Sequence, residues 1–382
     1  MDVLEQLRLL FNGCIQERRE AWAKLQKTVS LYDQQKSLTE IRAQDPTYGA
    51  IASEIARSAL RRVDKAHKDF FRRCKNGETP GFPRFKKFGR YKSFAFSFGK
   101  NTVVGEGHSA RLHIPNFGDV RMNLYRPLKG RPLEVTVRVD GAGKWWASVS
   151  CDLGAAPLAP EPSTLTSDDV IGADVGISSL VAFSDGMMLP NPRHFEKSAE
   201  QLKRRQQECA RKRKGSSSKA RTRRLVAKTY HHIANQRKDY HRKSACGLIA
   251  RCKVVVFEDL NIAGMVQGRL GKHINSAAWR QYRQIVTCKA EEAGKLVIGV
   301  DPRNTSQLCS GCGVLVPKEL DERWHHCPRC GASLDRDVNA ARNIRFRGMA
   351  TLGMSVAEAF VAKAQKPNRR PKKSFASADD QL

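Results

Sequence analysis

The sequence predicts a multidomain α+β protein: a helical lobe, a small antiparallel β-barrel, and an α/β domain with an inserted four-cysteine ribbon. Three observations predict it. Apolar residues recur every three or four positions over the first eighty residues, and every second position from Ser93 to Cys151. They then gather into short solid runs such as KVVVFED and KLVIGVD, the mark of strands buried on both faces. A Pro/Ser-rich stretch, GAAPLAPEPSTLTSDD, separates the second pattern from the third. Finally, Cys309, Cys312, Cys327 and Cys330 stand in the spacing C-x2-C-x14-C-x2-C.

Each element follows from its own residues. In the helical lobe, residues 1–80, Leu7, Leu10, Phe11, Cys14, Trp22 and Leu25 share one face. Ile51, Ile55, Ala59, Val63, Ala66 and Phe70 share another. The Gly/Pro-bearing tract CKNGETPGFPRFKKFGRYK ends the helices, and the period of two reads as an antiparallel sheet or small barrel, the barrel being the expectation over 81–155. The alternating residues are Phe94, Phe96, Phe98; Val120, Met122, Leu124; Leu133, Val135, Val137, Val139; and Trp145, Ala147, Val149, Cys151. A linker follows at 156–169. The α/β domain is expected over 170–308, where VIGADVGISSLVAFSDG reads as strand, tight turn, strand. A long basic helical insert occupies 195–250, the ribbon 309–333, and the domain's last part 334–360. The polar, basic tail 361–382 is expected to be disordered.

Composition narrows the partners. The chain of 382 residues carries 68 Lys+Arg against 38 Asp+Glu, a net charge of +30. Such an excess repels itself and fits a polyanion, because each cation laid on a phosphate releases a condensed counterion. Anionic membranes would satisfy charge alone, but no apolar run is long enough to span a bilayer, and the N-terminus lacks the pattern of a secretory signal. The expected setting is a reducing one, the cytoplasm with its nucleoid. There, Cys14, Cys74, Cys151, Cys209, Cys246, Cys252 and Cys288 are read as inert small hydrophobes rather than a disulfide framework. Residues 203–224 hold eleven Lys/Arg against one Glu. Such a run is either a solvated face or a phosphate-tracking surface; on the second reading Lys203, Arg204, Arg205, Arg211, Lys212, Arg213, Arg221, Arg223 and Arg224 are candidate phosphate contacts, and the surface continues into HHIANQRKDYHRKS with Arg237.

Two clusters carry chemistry. The cysteine pairs suit one structural Zn²⁺, each pair offering two thiolates from a tight turn and together closing four positions. His325 and His326 flank them as alternative ligands. Three acids stand where strands or turns end: Asp174 after VIGA, Glu258 after KVVVF, and Asp337 at the head of VNAARNI. Carboxylates at the ends of buried strands are costly unless they are paired or hold a cation. Three converging ones make a hard-oxygen site for Mg²⁺ or Mn²⁺, two ions of which could clamp a phosphodiester. Asp337 alone would equally be read as a helix N-cap.

In order, GADVGI, FEDLNI, TSQLCSGCG…CPRCG and LDRDVNAARNI resemble the TnpB family, the OrfB transposon-encoded proteins related to type V CRISPR effectors. The likeness runs from about Gly172 to Arg345, and GFPRFKK at 81–87 extends it. The resemblance implies a RuvC-like nuclease domain of RNase H fold and an RNA-guided DNA endonuclease. The guide would come from the transposon end, and a short DNA motif would lie beside the target. It places the catalytic acids on Asp174, Glu258 and Asp337, with Asp174 bridging both ions, and the ribbon ligands on the four cysteines. The protein would act as a monomer with its RNA. The family's opening strand has no counterpart here: either the start is truncated or misassigned, or the barrel lacks its N-terminal edge. Two rival readings are a non-cutting regulator of transposition and a protein-only transposase. The first would be favoured by loss of an acid. The second would need a tyrosine in a His-hydrophobic-His setting, which TYHHIAN does not match.

Overall fold

A computed structural model describes residues 3–155, 157–319 and 322–354. They form two units, Met1–Ala155 with Glu208–Lys228, and Ala156–Gln207 with Thr229–Leu382. The expected tail 361–382, and residues 355–360 before it, lie outside the described residues.

In the first unit, α1 (Val3–Leu25), α2 (Leu31–Gln44), α3 (Pro46–Gly49) and α4 (Ser53–Lys75) precede β1 (Ser93–Ser97), β2 (Val103–Val104), β3 (Arg111–Ile114), β4 (Gly118–Arg121), β5 (Arg131–Val139) and β6 (Trp145–Asp152). Helices and strands share one core, where Leu7, Phe11 and Ile15 of α1 meet Ile55, Ala59 and Val63 of α4 and Phe94, Phe96, Val135 and Val137 of the sheet. Trp22 and Leu25, expected on the buried face, are 57% and 73% exposed. A helix of that length, roughly 34 Å, outruns the core it packs on. The barrel expectation is also corrected. The strands form two open three-stranded sheets, β1-β5-β6 and β2-β3-β4, and no closed barrel occurs among the described residues. β2, β3 and β4 have only two to four residues each, and a ladder irregularity between Pro132 and Glu134 brackets Leu133, which stays exposed. The tract GFPRFKK is held against the helices. Phe82 packs on Phe70 with centroids 5.2 Å apart, and Asn12 bonds the backbone of Lys86 in both directions.

The second unit contains β7 (Val170–Val175), β8 (Ser179–Phe183), β9 (Met188–Pro190), α5 (His194–Arg211) as far as Gln207, α6 (Ser217–Arg251) from Thr229, β10 (Val254–Glu258), α7 (Ile262–Met265), α8 (Gly271–Ala277), α9 (Trp279–Glu292), β11 (Leu296–Val300), β12 (Trp324–His326), β13 (Ser333–Asp335) and α10 (Arg336–Thr351). Its sheet has the order β11-β10-β7-β8-β9, with β7, β10 and β11 parallel and a β7-β8-β9 meander beside them. The solid apolar runs are explained by burial on both faces. Val255 and Phe257 point to Tyr282 and Val286 of α9, whereas Val254 and Val256 point to Ile344 and Met349 of α10.

Helix α10 lies close on both β7 and β10. A Cβ on Gly172 would lie 2.0 Å from the Ala341 carbonyl oxygen, and one on Gly348 would lie 2.3 Å from Val256. Backbone cannot yield as a side chain does, so Gly172→Ala is expected to destabilise the protein by on the order of 3 kcal/mol. Thermal unfolding checks this, with Gly247→Ala, which meets nothing within 4 Å, as the neutral comparison.

Candidate active site and metal centre

Strand parity brings the first two acids together. Ala173 and Phe257 are register partners in the parallel pair β7–β10 and face α9. The next residue on each strand, Asp174 and Glu258, therefore faces the other way, toward α10. Both stand at the carboxyl ends of parallel strands, where open α/β sheets place their ligands. Helix α10 delivers the third. It lies over Gly172, so its first turn reaches the end of β7, and a Cβ on Gly176 would stand 3.8 Å from Asp337 Oδ2. Trp279 of α9 holds that turn, its Nε1 donating to the Gly176 carbonyl at 2.9 Å.

Asp337 is not the helix cap. Asp335 caps α10, accepting from the backbone N–H groups of Asp337 and Val338 at 2.8 and 3.3 Å. The Asp337 carboxylate is left to Arg336 Nε at 3.3 Å and Arg323 Nη1 at 3.7 Å. Glu258 accepts from the buried hydroxyl of Thr305 at 2.5 Å.

Electrostatics report the convergence. Burial, and then the charges of Glu258 and Asp337, raise the Asp174 carboxyl well above the usual range, against the pull of Arg336. Burial also raises Glu258, with Asp301 adding to the rise and Thr305 and Arg347 opposing it. The sign of the linkage follows. Acids raised in the fold bind protons more tightly there than in the unfolded chain. Their contribution is full below the unfolded carboxylate range and is lost as pH rises through the raised values. Protein stripped of divalent ions is therefore expected to lose stability as pH climbs out of the carboxylate range. Mg²⁺ should restore it, as read by unfolding temperature against pH; a curve unchanged by Mg²⁺ would count against a cation site here.

The cysteines form two matching knuckles. Cys309 N–H donates to Val314 O and Gly313 N–H to Cys309 O, and Cys327 N–H donates to Ala332 O and Gly331 N–H to Cys327 O. Gly313 and Gly331 take φ of 71° and 74°, the left-handed region that favours glycine. The sulfurs of Cys309 and Cys330, and of Cys312 and Cys327, are 3.6 Å apart, and all four lie within 4.8 Å of one another. Four thiolates about 2.3 Å from one Zn²⁺ stand ~3.8 Å apart in a tetrahedron, so the quartet fits that ion. Among the described residues it is the one group of three or more His, Cys, Asp or Glu drawn this tightly, and the three carboxylates are set more widely. Burial alone would raise the Cys327 thiol, but the backbone N–H groups of Cys330 and Arg329 overcome it and bring the thiol to about 6. His325 is buried beside Lys318 and His326 is exposed on β12; neither joins the quartet.

A curated protein of Streptomyces pristinaespiralis, "Putative RNA-guided DNA endonuclease", is 32% identical over 354 residues, spanning 90% of this chain and 84% of its own. A family profile described as "Probable transposase" (OrfB_IS605) matches residues 148–269, and one described as "Cas12f1-like, TNB domain" matches 279–344. The chain belongs to the TnpB/OrfB family. Escherichia coli "Putative RNA-guided DNA endonuclease InsQ" is 29% identical over 78% of this TnpB-family chain and 75% of its own. The solved "Cas12f1-sgRNA-target DNA complex" aligns over 90% of this chain and 92% of its own at 17% identity, with a TM-score of 0.36, too loose a likeness to transfer residues.

Among the basic residues of this TnpB-family chain, Lys203, Arg204, Arg211, Arg213, Arg221, Arg223 and Arg224 are exposed, and Lys212 is half-buried. None of these eight has a carboxylate partner among the described residues. Arg205 bonds Thr229 at 2.5 Å. Arg237 is clamped, donating to Gln281 at 3.2 Å and to the carbonyls of Asn275 and Ser276 at 3.3 Å. Of the other seven cysteines, Cys14 and Cys252 are buried as expected, but Cys74, Cys246 and Cys288 are exposed. Sequence reasoning missed three residues that hold the site. Thr305 braces Glu258, and Asn339 and Asn343 of α10 tie down the backbone at the ribbon's first knuckle. Asn339 accepts from Ser310 N–H and donates to Leu308 O; Asn343 donates to the carbonyls of Thr305 and Leu308. The signal was present in NAARNI, whose two asparagines lie four positions apart on one helical face.

Proposed function

We propose that this chain is an RNA-guided DNA endonuclease that hydrolyses phosphodiester bonds at Asp174, Glu258 and Asp337. The observation that carries it is the gathering of these acids on one face of the sheet, with Asp174 raised by burial and by the charges of Glu258 and Asp337, and Glu258 raised by burial. The names of the relatives, endonucleases guided by RNA, support the same reading. The strand order supports an RNase H-like domain.

Two Mg²⁺ or Mn²⁺ ions held by the three acids would supply an activated water and charge stabilisation at the leaving oxygen. The chain's own residues set the geometry. Thr305 fixes the rotamer of Glu258, Arg336 and Arg323 hold Asp337, and Trp279 fixes the turn after Asp174. One structural Zn²⁺ would occupy the cysteine quartet. The exposed cations of α5 and α6 would track phosphates without reading sequence. Guide RNA from the transposon end, a matched DNA target and a monomeric complex complete the proposal. Specificity would come from base pairing. The intact triad weighs against a regulator that does not cut. No helix among the described residues is long and apolar enough to cross a membrane.

The test is expression with and without the transposon-end RNA, followed by challenge with a plasmid carrying a matched target. Cutting only with matched guide is the expected result. Site-specific cutting by RNA-free protein would refute the proposal and revive the protein-only transposase.

A further inference from the structure

A cavity of about 410 Å³ opens between α5, α6 and α8, lined by Phe195, Tyr230, Ile233, Ala234, Arg237, Lys272, Asn275 and Ser276. That volume falls within the ~300–1,000 Å³ of small-molecule sites. Its chemistry is two-sided. Phe195 and Tyr230 offer aromatic surface over the apolar floor of Ile233 and Ala234. Tyr230 is held by Gln206, whose Nε2 donates to its hydroxyl at 2.8 Å. Arg237 and Lys272 supply the other side.

Arg237 indicates what is missing. Burial lowers its pKa, and no neighbouring acid offsets that. Among the described residues its bonds all go to neutral oxygens, those of Gln281, Asn275 and Ser276. A half-buried guanidinium without a counter-charge is costly, and it faces a cavity beside an exposed lysine. An anion carrying a flat apolar group would satisfy both sides, and a nucleotide is that ligand. The base would lie against the aromatic rings, as bases do on single-strand binding surfaces, with its phosphate at Arg237 and Lys272. The side chains of Asn275 and Ser276, which bond nothing else among the described residues, stand where they could meet the base edge.

We infer that this cavity captures one unstacked nucleotide of the bound nucleic acid. The inference rests on the proposed guided-nuclease reading for its supply of nucleic acid, yet it assigns a site that catalysis does not use. The two sources, guide RNA and DNA strand, share this chemistry and are separated by the sugar.

The experiment uses the full chain purified with its nucleic acid, loaded with matched DNA, irradiated with ultraviolet light, digested with trypsin and analysed by mass spectrometry. The tryptic peptide 229–237 contains Tyr230, Ile233, Ala234 and Arg237, and peptide 194–197 contains Phe195. A one-nucleotide adduct is expected on one or both, and its mass distinguishes ribose from deoxyribose. Lys272→Ala should lower that adduct about tenfold while leaving adducts on the peptide 206–211 at the end of α5 unchanged. Adducts on 206–211 with none on the cavity peptides would overturn this site and leave the nuclease reading standing. Adducts nowhere, with guided cleavage absent, would overturn both. Cavity adducts indifferent to Lys272→Ala would show that the polar end holds no phosphate, overturning the assignment.

Discussion

Asp174→Asn is expected to lower guided cleavage about a thousandfold or more, the scale on which charge-stabilising groups act in a transition state, while leaving nucleic-acid affinity unchanged. Asparagine keeps the shape but removes the charge around which the cluster is organised. A second outcome separates this from a folding defect. Because Asp174 is raised by burial and by Glu258 and Asp337, its neutralisation relieves repulsion in the metal-free protein, so the variant should be at least as stable as the parent near pH 7. Glu258→Gln and Asp337→Asn should lose cleavage on the same scale. Thr305 grades the effect. Its hydroxyl is worth about 1.5–3 kcal/mol as a hydrogen bond to a charged group, so Thr305→Val should lose roughly 10- to 100-fold and need more Mg²⁺, whereas Thr305→Ser should retain most activity. Wild-type cleavage by Glu258→Gln in Mg²⁺ would remove the triad assignment.

Much of the second unit was legible because burial on both faces writes an unbroken apolar run. VVVF and LVIGV are strands β10 and β11, as read, and the ends of such runs mark where carboxylates can stand. The cysteine spacing was legible because a tetrahedral ion leaves few alternatives. The barrel was not. Period-two alternation in Phe94, Phe96, Val135 and Val137 states which side of a strand is apolar, but not which strand it pairs with. Closure depends on partners far along the chain, and here the ladders end as two open sheets. Charge counting could not read the neighbours of Arg237, which the fold ties to neutral oxygens of α8 and α9. Asn339 and Asn343 show their shared helical face in the sequence but not their partners, which lie 29 to 38 residues away, and Thr305 bonds Glu258 across 47 residues with no periodicity to mark it.

Cys327→Ser is expected to lose the Zn²⁺ proposed for the cysteine quartet and, with it, cleavage. The ribbon has little else to fold around. Its two strands have three residues each, far below what a hairpin needs to stand alone, and Cys309, Cys327 and His325 form most of its buried interior. Metal binding in such ribbons is coupled to folding, with apparent energies of about 10–16 kcal/mol for small zinc domains, so one missing thiolate removes most of what holds the segment. The damage should reach the carboxylates from both sides. β13 runs directly into the Asp335 cap, Arg323 O accepts from Arg336 N–H, and Arg323 reaches Asp337. On the other flank, Thr305 sits four residues before Cys309 and braces Glu258. Beyond its first turns, α10 should survive, since Ile344 and Met349 remain packed on Val254 and Val256. Elemental analysis should find close to one zinc in the parent and well under half an equivalent in the variant. Hydrogen exchange should rise over 305–337 while staying low over 170–183 and 340–350. Unchanged cleavage by zinc-free Cys327→Ser would show that Asp337 and Glu258 are positioned by the sheet and α10 alone, leaving the ribbon without a part in holding the active site.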